Sequence, residues 1–537
     1  MTKIPSSQDN RIFWIAAGPV IVFVYFFGLT IPLLGPDEPR YSQVAREMFE
    51  RGDWITPTLG GFHWFEKPAL LYWLQIASYS IFGVTEFAAR FGSAIFGLAT
   101  IGSLWLLGRR AAKAASISGE FANLLALIAA STIGLIVFAR GASFDIILTF
   151  PLTAAMVCFF LFDLSQEIGG KDGTAEQRSD REGVLPLFGF YVFIGVALLA
   201  KGLVGIVFPF AIVAFYFLIS RRWPGRTFLV SLVWGTPIAL AVAATWYLPM
   251  YLRHGWEFVD QFFIQHHFQR YTSNKYLHPQ PFHFFFWVLP LMTIPWLPFF
   301  LVAVWKFGKR AFYREREPVR KGPDAAGEVR ELELDKHLSI AALLRFAAAW
   351  LLVPLVFFSF SGSKLPGYIL PAVPPAIVIT SVYLMTFIRG GARRAAMVKA
   401  LAMATFVTVV GIVIFALPRF ADTDSVKGLI DAANRRGYRS EKVLTLHTVS
   451  HNAEFYAPGR LLRDDEGKQR QLPGPAEVLE ELQSTGQTGA LVIVPLEHLQ
   501  QLIASQALRS DVIRDNGEFA IVYVSPSTRH RASETVH

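Results

Sequence analysis

Eleven stretches of this chain are apolar over roughly the length of a bilayer crossing, and that sets its class before any motif is considered. They run over 13–34, 88–108, 121–139, 145–163, 185–200, 202–220, 227–250, 283–305, 340–360, 368–388 and 397–418. A spanning helix needs about 20 mostly apolar residues, so 185–200 is short by this measure and the count of about eleven carries a margin of one or two. Inside lipid every backbone N–H and C=O must be satisfied within the segment, which leaves helices as the spanning elements for runs of this kind. The expected fold class is therefore an all-α polytopic membrane protein. Composition agrees: 53% of the 537 residues are hydrophobic and 17% charged, a balance unlike that of a soluble globular chain. The first run is longer than the apolar core of a signal peptide, and "LLGPDEPRY" offers no small-residue cleavage site, so it is expected to remain as an uncleaved first helix. The single cysteine, Cys158, excludes an intramolecular disulfide and a thiolate metal site.

Charge orients the spans. With the N-terminus inside, the inner loops hold Arg109, Arg110 and Lys113; Lys171, Arg178 and Arg181; Arg221, Arg222 and Arg226; nine further basic residues over 306–336; and Arg389, Arg393 and Arg394. The short opposite loops hold far fewer, which is the positive-inside pattern. The formal net charge of +9 is thus largely accounted for by topology and does not read as a nucleic-acid surface. Eleven spans then leave the region after Leu417 outside. There "KVLTLHTV", "ALVIVPL" and "FAIVYVSP" read as strands, and "SVKGLIDAANRRG", "PAEVLEELQSTG" and "LEHLQQLIASQAL" as helices. A membrane domain over 1–418 and a small α/β periplasmic domain over 419–537 are expected. With no glycine-rich phosphate loop, the latter reads first as a packing or acceptor-facing accessory.

The outer charges are few, and nearly all stand within a few residues of a span end: Asp37, Glu38, Arg40, Glu66, Lys67, Arg140, Asp145, Lys201, Lys364, and a long loop with His254, Glu257, Asp260, His266, His267, Arg270 and Lys275. Ionisable groups there are costly unless paired or placed in a wet cavity, so they point to function. The first outer loop is the richest. In "PRYSQVAREMFERG", Tyr41, Val44, Ala45 and Met48 share a face at helical spacing. This helix and "PALLYWLQIASYSIFG" are expected to lie along the outer leaflet, although ordinary loop helices would show the same pattern. Asp145 is either a second acid facing a cavity or a helix cap, a part Ser143 also suits. Lys201 either faces that cavity or snorkels between spans. Lys364 stands in a Ser-Gly-Pro turn suited to holding a cation. His266 and His267, being adjacent, do not share a helix face, and no further ligands are spaced for tetrahedral zinc.

A carboxylate at a lipid boundary can serve as general base or orient a nucleophile. Lysine and arginine nearby can hold a phosphate, one as a point charge and the other as a fork. Such a set suits a lipid phosphate, and because the outer face lacks nucleotide sugars, transfer there requires a preactivated, lipid-borne donor.

"GPDEPRYSQVAREM", "GDWITPTLGGFHWFEKPALLYWL", "LLAKGLVGIVFP" and "FSFSGSKLPGYILPAVPP" resemble, in order and spacing, landmarks of bacterial membrane glycosyltransferases of the aminoarabinose transferase type. These share the GT-C architecture with protein O-mannosyltransferases. The resemblance covers roughly 10–390; the C-terminal region shows no such match. It implies sugar transfer from a polyprenyl phosphate to lipid A, another glycolipid or a protein on the periplasmic face of the inner membrane. Asp37 matches the catalytic acid position, with Glu38 beside it, and Asp145 a second acidic position. Lys67, Lys201 and Lys364 would surround the lipid phosphate. Arg40, Tyr41, Glu66, Arg140 and Tyr368 join them as candidate substrate contacts, and His266, His267 and Arg270 lie where the family has a loop over the cavity. The expected reaction is a single displacement with inversion, with neither metal nor cofactor, and with donor, acceptor and membrane lipids as partners. A transporter or flippase of lipid-linked sugars, or an O-antigen ligase or polymerase, is the alternative. A transporter would show repeat symmetry and a midplane site, and no internal repeat is evident here.

Overall fold

The computed structural model describes residues 7–169, 176–269, 280–313 and 327–527. Seven helices among the described residues are long and apolar enough to cross a membrane, or up to nine if each of two bent helix pairs is one span. Two shorter apolar helices, Arg11–Phe26 and Val204–Ile219, fall on two further expected spans. Every apolar run expected from the sequence thus coincides with a helix or a bent pair. In chain order the first elements are α1 (Ser7–Phe26), α2 (Asp37–Arg51), the hairpin strands β1 (Thr58–Leu59) and β2 (Phe62–His63), and α3 (Leu70–Phe82). Then come α4 (Glu86–Ala114), α5 (Glu120–Ala130), α6 (Ile133–Ala139), α7 (Phe144–Gly169), α8 (Glu176–Lys201), α9 (Val204–Ile219) and α10 (Arg226–Val259).

Two expected single spans are bent. α5 and α6 meet at 60°, and the helices Phe284–Met292 and Leu297–Lys309 at 118°. At the first break Ser131 and Thr132 hydroxyls donate back to the carbonyls of Leu127 and Ile128, a bonding pattern that bends helices. The Ile133 N–H instead donates to the Ile294 carbonyl at 2.8 Å, so the two breaks satisfy one another. The second break holds Pro295, which has no N–H to continue a helix.

The chain divides into two compact units. One comprises 1–27, 66–71 and 92–410; the other comprises 28–65, 72–91 and 411–537. In the first, Phe159 is fully buried and its ring meets those of Phe190, Tyr216, Phe217, Phe228 and Phe346. α7 to α10 and the helix Gly327–Ser359 therefore pack around one aromatic nucleus. Lipid is as apolar as these side chains, so close van der Waals contact rather than escape from water holds them together. Close approach has a sequence cause at Gly205, where a Cβ would lie 2.4 Å from the backbone carbon of Ala197. With Gly202 at φ 73°, the pair turns the chain sharply from α8 into α9 immediately after Lys201.

The second unit carries a five-stranded sheet of order β4-β3-β5-β7-β6. Its strands are β3 (Val443–Leu446), β4 (Gln471–Leu472), β5 (Ala490–Pro495), β6 (Leu508–Asp515) and β7 (Phe519–Pro526). β3 runs parallel to β4 and β5, and β7 antiparallel to β5 and β6. "ALVIV" is buried throughout because both sheet faces are covered. Leu472, Val478, Leu482 and Leu502 pack with one face, and Leu429, Ile430, Ala433 and Ala453 with the other. Of the elements of this sheet and its covering helices, the sequence reading missed β4, of two residues, β6, a mostly polar edge strand, and the six-residue helix His451–Tyr456.

Candidate active site

α2 begins at Asp37, with two acids in its first turn, where the helix dipole favours negative charge. Tyr41, Val44, Ala45 and Met48 are all buried, as their spacing requires. The two acids do different things. Glu38 accepts from Arg90 at 2.6 and 3.1 Å and from the Leu34 N–H at 2.9 Å. Arg90 also donates to the carbonyls of Leu29, Ile31 and Pro32, and its side chain is 2% exposed against 15% for Glu38. The stretch leading into α2 is thereby tied to the start of α4. The Asp37 side chain is 48% exposed and accepts at 2.6 Å from Arg40, whose guanidinium lies 5.8 Å from the Trp64 ring centre. Asp37 is the acid presented to its surroundings; Glu38 is held inward.

Glu47 supports the following hairpin. Its carboxylate accepts from the Thr58 hydroxyl and from the Gly60 and Gly61 N–H groups at 2.6, 2.6 and 3.1 Å. α3 packs behind α2: the Tyr79 hydroxyl donates to the Ser42 carbonyl, and the buried Gln75 amide donates to the Ser42 hydroxyl and the Ala89 carbonyl. α3 is thus a tied element of the second unit as well as an apolar helix. Glu66 and Lys67 are both half-buried, in the turn before α3.

In the first unit Asp145 stands in the first turn of α7 and pairs with Lys201, the last residue of α8. The side chains are 18% and 16% exposed, and the ammonium lies 4.8 Å from the centre of the Tyr368 ring. The cap belongs to Ser143, whose hydroxyl accepts the Asp145 N–H at 3.1 Å, leaving the carboxylate to the lysine. Lys201 is accordingly fixed between an acid and an aromatic face rather than reaching outward.

The turn that carries Lys364 continues into a short 3₁₀ helix, Pro366–Ala372. Gly367 lies so close to Asp145 that a Cβ there would be 1.9 Å from its Oδ2. Lys364 is 7% exposed, and its ammonium donates to the carbonyls of Gln280 and Ser361 at 3.0 and 2.7 Å. Burial lowers its pKa. An ammonium has three N–H donors, so these two bonds aim the side chain without exhausting it. Asp145, Lys201 and Tyr368 come from three distant stretches of sequence and meet around Gly367, on the turn that also carries Lys364. Arg140 donates to the carbonyls of Val24 and Phe27, satisfying the C-terminal end of α1. His266 is half-buried in a π-helical segment, Asp260–Gln269, that follows α10 beyond a break at Gly255, φ 53°. His267 keeps a backbone position there, its side chain lying outside the described set, and Arg270 and Lys275 lie outside the described residues.

Further groups in the second unit carry no recognisable signal in the sequence. The helix His451–Tyr456 packs against α2. His451 feels the charges of Arg40 and Asp37, and burial, with Arg40, pushes its pKa down to about 4. Its Nδ1 is buried without a hydrogen-bond partner among the described residues. Behind it Glu454, 4% exposed, pairs with Arg463 and accepts from Gln469; burial raises its pKa while Arg463 works against that.

Comparison with known proteins agrees with this architecture. The profile of the dolichyl-phosphate-mannose-protein mannosyltransferase family matches residues 33–260. The undecaprenyl phosphate-alpha-4-amino-4-deoxy-L-arabinose arabinosyl transferase of Aeromonas hydrophila is 29% identical over 76% of this chain and 66% of its own. That of Yersinia enterocolitica is 32% identical over 67% of this chain and 57% of its own. The chain spans less than two thirds of the length of these relatives. The crystal structure of ArnT from Cupriavidus metallidurans bound to undecaprenyl phosphate superposes with a TM-score of 0.73 at 20% identity. It covers 96% of this chain and 98% of that one, so the likeness of fold takes in the C-terminal region that showed no sequence match. The chain is a polytopic membrane protein with the fold of ArnT, similar in sequence to aminoarabinose transferases over most of its length and to the protein mannosyltransferase profile over part of it.

Proposed function

We propose that this chain is an integral-membrane glycosyltransferase. It moves a sugar from a polyprenyl phosphate, of which undecaprenyl phosphate is the type, to lipid A, another glycolipid or a protein at the periplasmic face of the bacterial inner membrane. The observation that carries this is the meeting of Lys201, Asp145 and Tyr368 around Gly367 with Lys364 on the same turn. Two aimed cations at the ends of membrane helices suit a phosphate that carries a lipid tail. The bond from the anomeric carbon to the phosphate oxygen breaks, and its electron pair leaves with the phosphate. Lys67, Lys201 and Lys364 neutralise the charge that builds there, the kind of fixed electrostatic help that often dominates catalysis.

The acceptor oxygen attacks the opposite face of the anomeric carbon, giving inversion. If the acceptor is a hydroxyl, its proton passes to the Asp37 carboxylate; an already ionised phosphate acceptor is oriented by Asp37 and Arg40 instead. In this reading Glu38, tied to Arg90, serves the reaction by holding the first turn of α2 in place. The lysines supply the positive charge, so no metal is required. The donor tail runs along the apolar face of α3.

Purified protein in lipid nanodiscs, supplied with undecaprenyl phosphate-linked aminoarabinose and with lipid A or a protein acceptor, tests the reading. A new glycosidic linkage of opposite anomeric configuration is expected. Movement of the donor between leaflets with no new linkage would make the protein a transporter.

A further inference from the structure

We infer that the C-terminal domain is a working part of the catalytic apparatus, and that its helix His451–Tyr456, with Asp424, is a clamp that sets the position of Asp37. The inference rests on the reading of Asp37 given above. Its physical basis is a set of long-range bonds, all within the second unit, that converge on the residues immediately before Asp37. The Leu33 N–H donates to the Tyr456 hydroxyl at 2.8 Å, and the Gly35 N–H to the Asp424 carboxylate at 2.8 Å. The Asn452 amide donates to the carbonyls of Gly35 and Asp424 at 3.5 and 3.3 Å. The Tyr456 hydroxyl in turn donates to the Glu86 carboxylate at 3.2 Å, which also pairs with Lys427 at 2.5 Å. Arg46, two turns along α2, donates to the Phe455 carbonyl at 3.5 Å.

This is more than a covering domain needs. Gly35 takes φ 60°, and its N–H and C=O are both bound by residues some 390 or more positions later in the chain. Free backbone at such a turn would be mobile, and an acid misplaced by about 1 Å can lose on the order of a hundredfold in rate. The bond from Gly35 to Asp424 is charge-assisted, the stronger class of hydrogen bond. The turn of the hairpin after α2 meets the same domain: a Cβ on Gly60 would fall 2.0 Å from the Arg463 guanidinium. The segment that enters α2 and the hairpin that follows it are thus both gripped by the C-terminal domain, with Asp37 between them in the chain. Tyr456, Asn452 and Asp424 are positioning residues; none needs to touch substrate.

The test uses the full chain in nanodiscs, with Tyr456→Phe and Asp424→Asn compared with wild type by hydrogen exchange and by transfer from undecaprenyl phosphate-linked aminoarabinose to lipid A. Exchange is expected to rise in the peptide covering 28–40 while the strands β5 and β7 stay protected. The value of kcat is expected to fall about tenfold in each variant, about 1.4 kcal/mol of barrier, with KM for the donor unchanged. Asp424→Glu, which keeps the charge, is expected to recover part of that loss. Unchanged exchange over 28–40 would overturn the clamp, and so would raised exchange with unchanged kcat. Wild-type protein with no transfer activity would sink the site reading itself, while the exchange arm would still decide whether the clamp exists.

Discussion

Glu38 and Arg90 meet through two hydrogen bonds, at 2.6 and 3.1 Å, and this pair anchors the segment that delivers Asp37. Arg90 spends its remaining donors on three carbonyls of the same stretch, so the guanidinium is the peg on which residues 29–38 hang. Removing one partner leaves a buried charge uncompensated, which costs about 3–5 kcal/mol. Arg90→Ala and Glu38→Gln are expected to lower the apparent midpoint of thermal unfolding in nanodiscs. Arg90→Lys is expected not to restore it, because an ammonium cannot reproduce the fork. Equal stability of Arg90→Lys and wild type would reduce the pair to a simple charge contact.

Lys201 and Asp145 lend themselves to separate substitution. Lys201→Ala is expected to lower kcat by about 10²–10³-fold, the size of effect seen when one fixed electrostatic donor is removed. Asp145→Asn leaves the lysine in place without its orienting acid, and a smaller loss in kcat is expected. Steady-state transfer rates with purified donor measure both, and near-normal rates for Lys201→Ala would remove that cation from the reaction.

Gly367→Ala places a methyl group where Asp145 Oδ2 now sits. The pair with Lys201 must shift, so transfer is expected to fall about as far as in Asp145→Asn, with expression and membrane insertion kept. Full activity in Gly367→Ala would show that the position of Asp145 is not critical.

His451 contributes to the pH response of the C-terminal domain with a definite sign. His451 has its pKa pushed down from its ordinary value of 6.5 to about 4. The unfolded chain therefore binds the proton first, and stability is full above about pH 6.5 and falls as pH drops toward 4. Glu454, whose pKa is raised by burial, acts with the opposite sign, so the histidine is read from a difference between two proteins. His451→Gln is expected to lose less stability than wild type between pH 7.5 and pH 5, measured by thermal unfolding. A parallel loss in both would mean that protonation at His451 is not opposed.

Much of the fold was legible because the bilayer imposes length and apolarity on each span. The buried face of α2 was legible because Tyr41, Val44, Ala45 and Met48 repeat at helical spacing. The division of labour between Asp37 and Glu38 was not. Two adjacent acids look alike until Arg90, 52 residues from Glu38, chooses one of them. Pairing of Asp145 with Lys201 across 56 residues was equally silent. The helix His451–Tyr456 is too short for any periodicity, and β6 is an edge strand whose polar side chains hide its pairing, as edge strands commonly do. The two bends were read as straight spans because an apolar run records composition and says nothing of Ser131 and Thr132 turning their hydroxyls back on the helix.

The most direct measurement is single-turnover transfer by Asp37→Asn beside wild type, in nanodiscs, with undecaprenyl phosphate-linked aminoarabinose and a lipid A acceptor, in the presence and absence of a chelator. Wild type should form the glycosidic product at the same rate with or without the chelator, and Asp37→Asn should form almost none while binding the donor normally. Product from Asp37→Asn at the wild-type rate would contradict the account. So would chelator-sensitive transfer, which would direct attention to metal binding near His254 and Glu257, whose ligand atoms lie within 4.8 Å of one another.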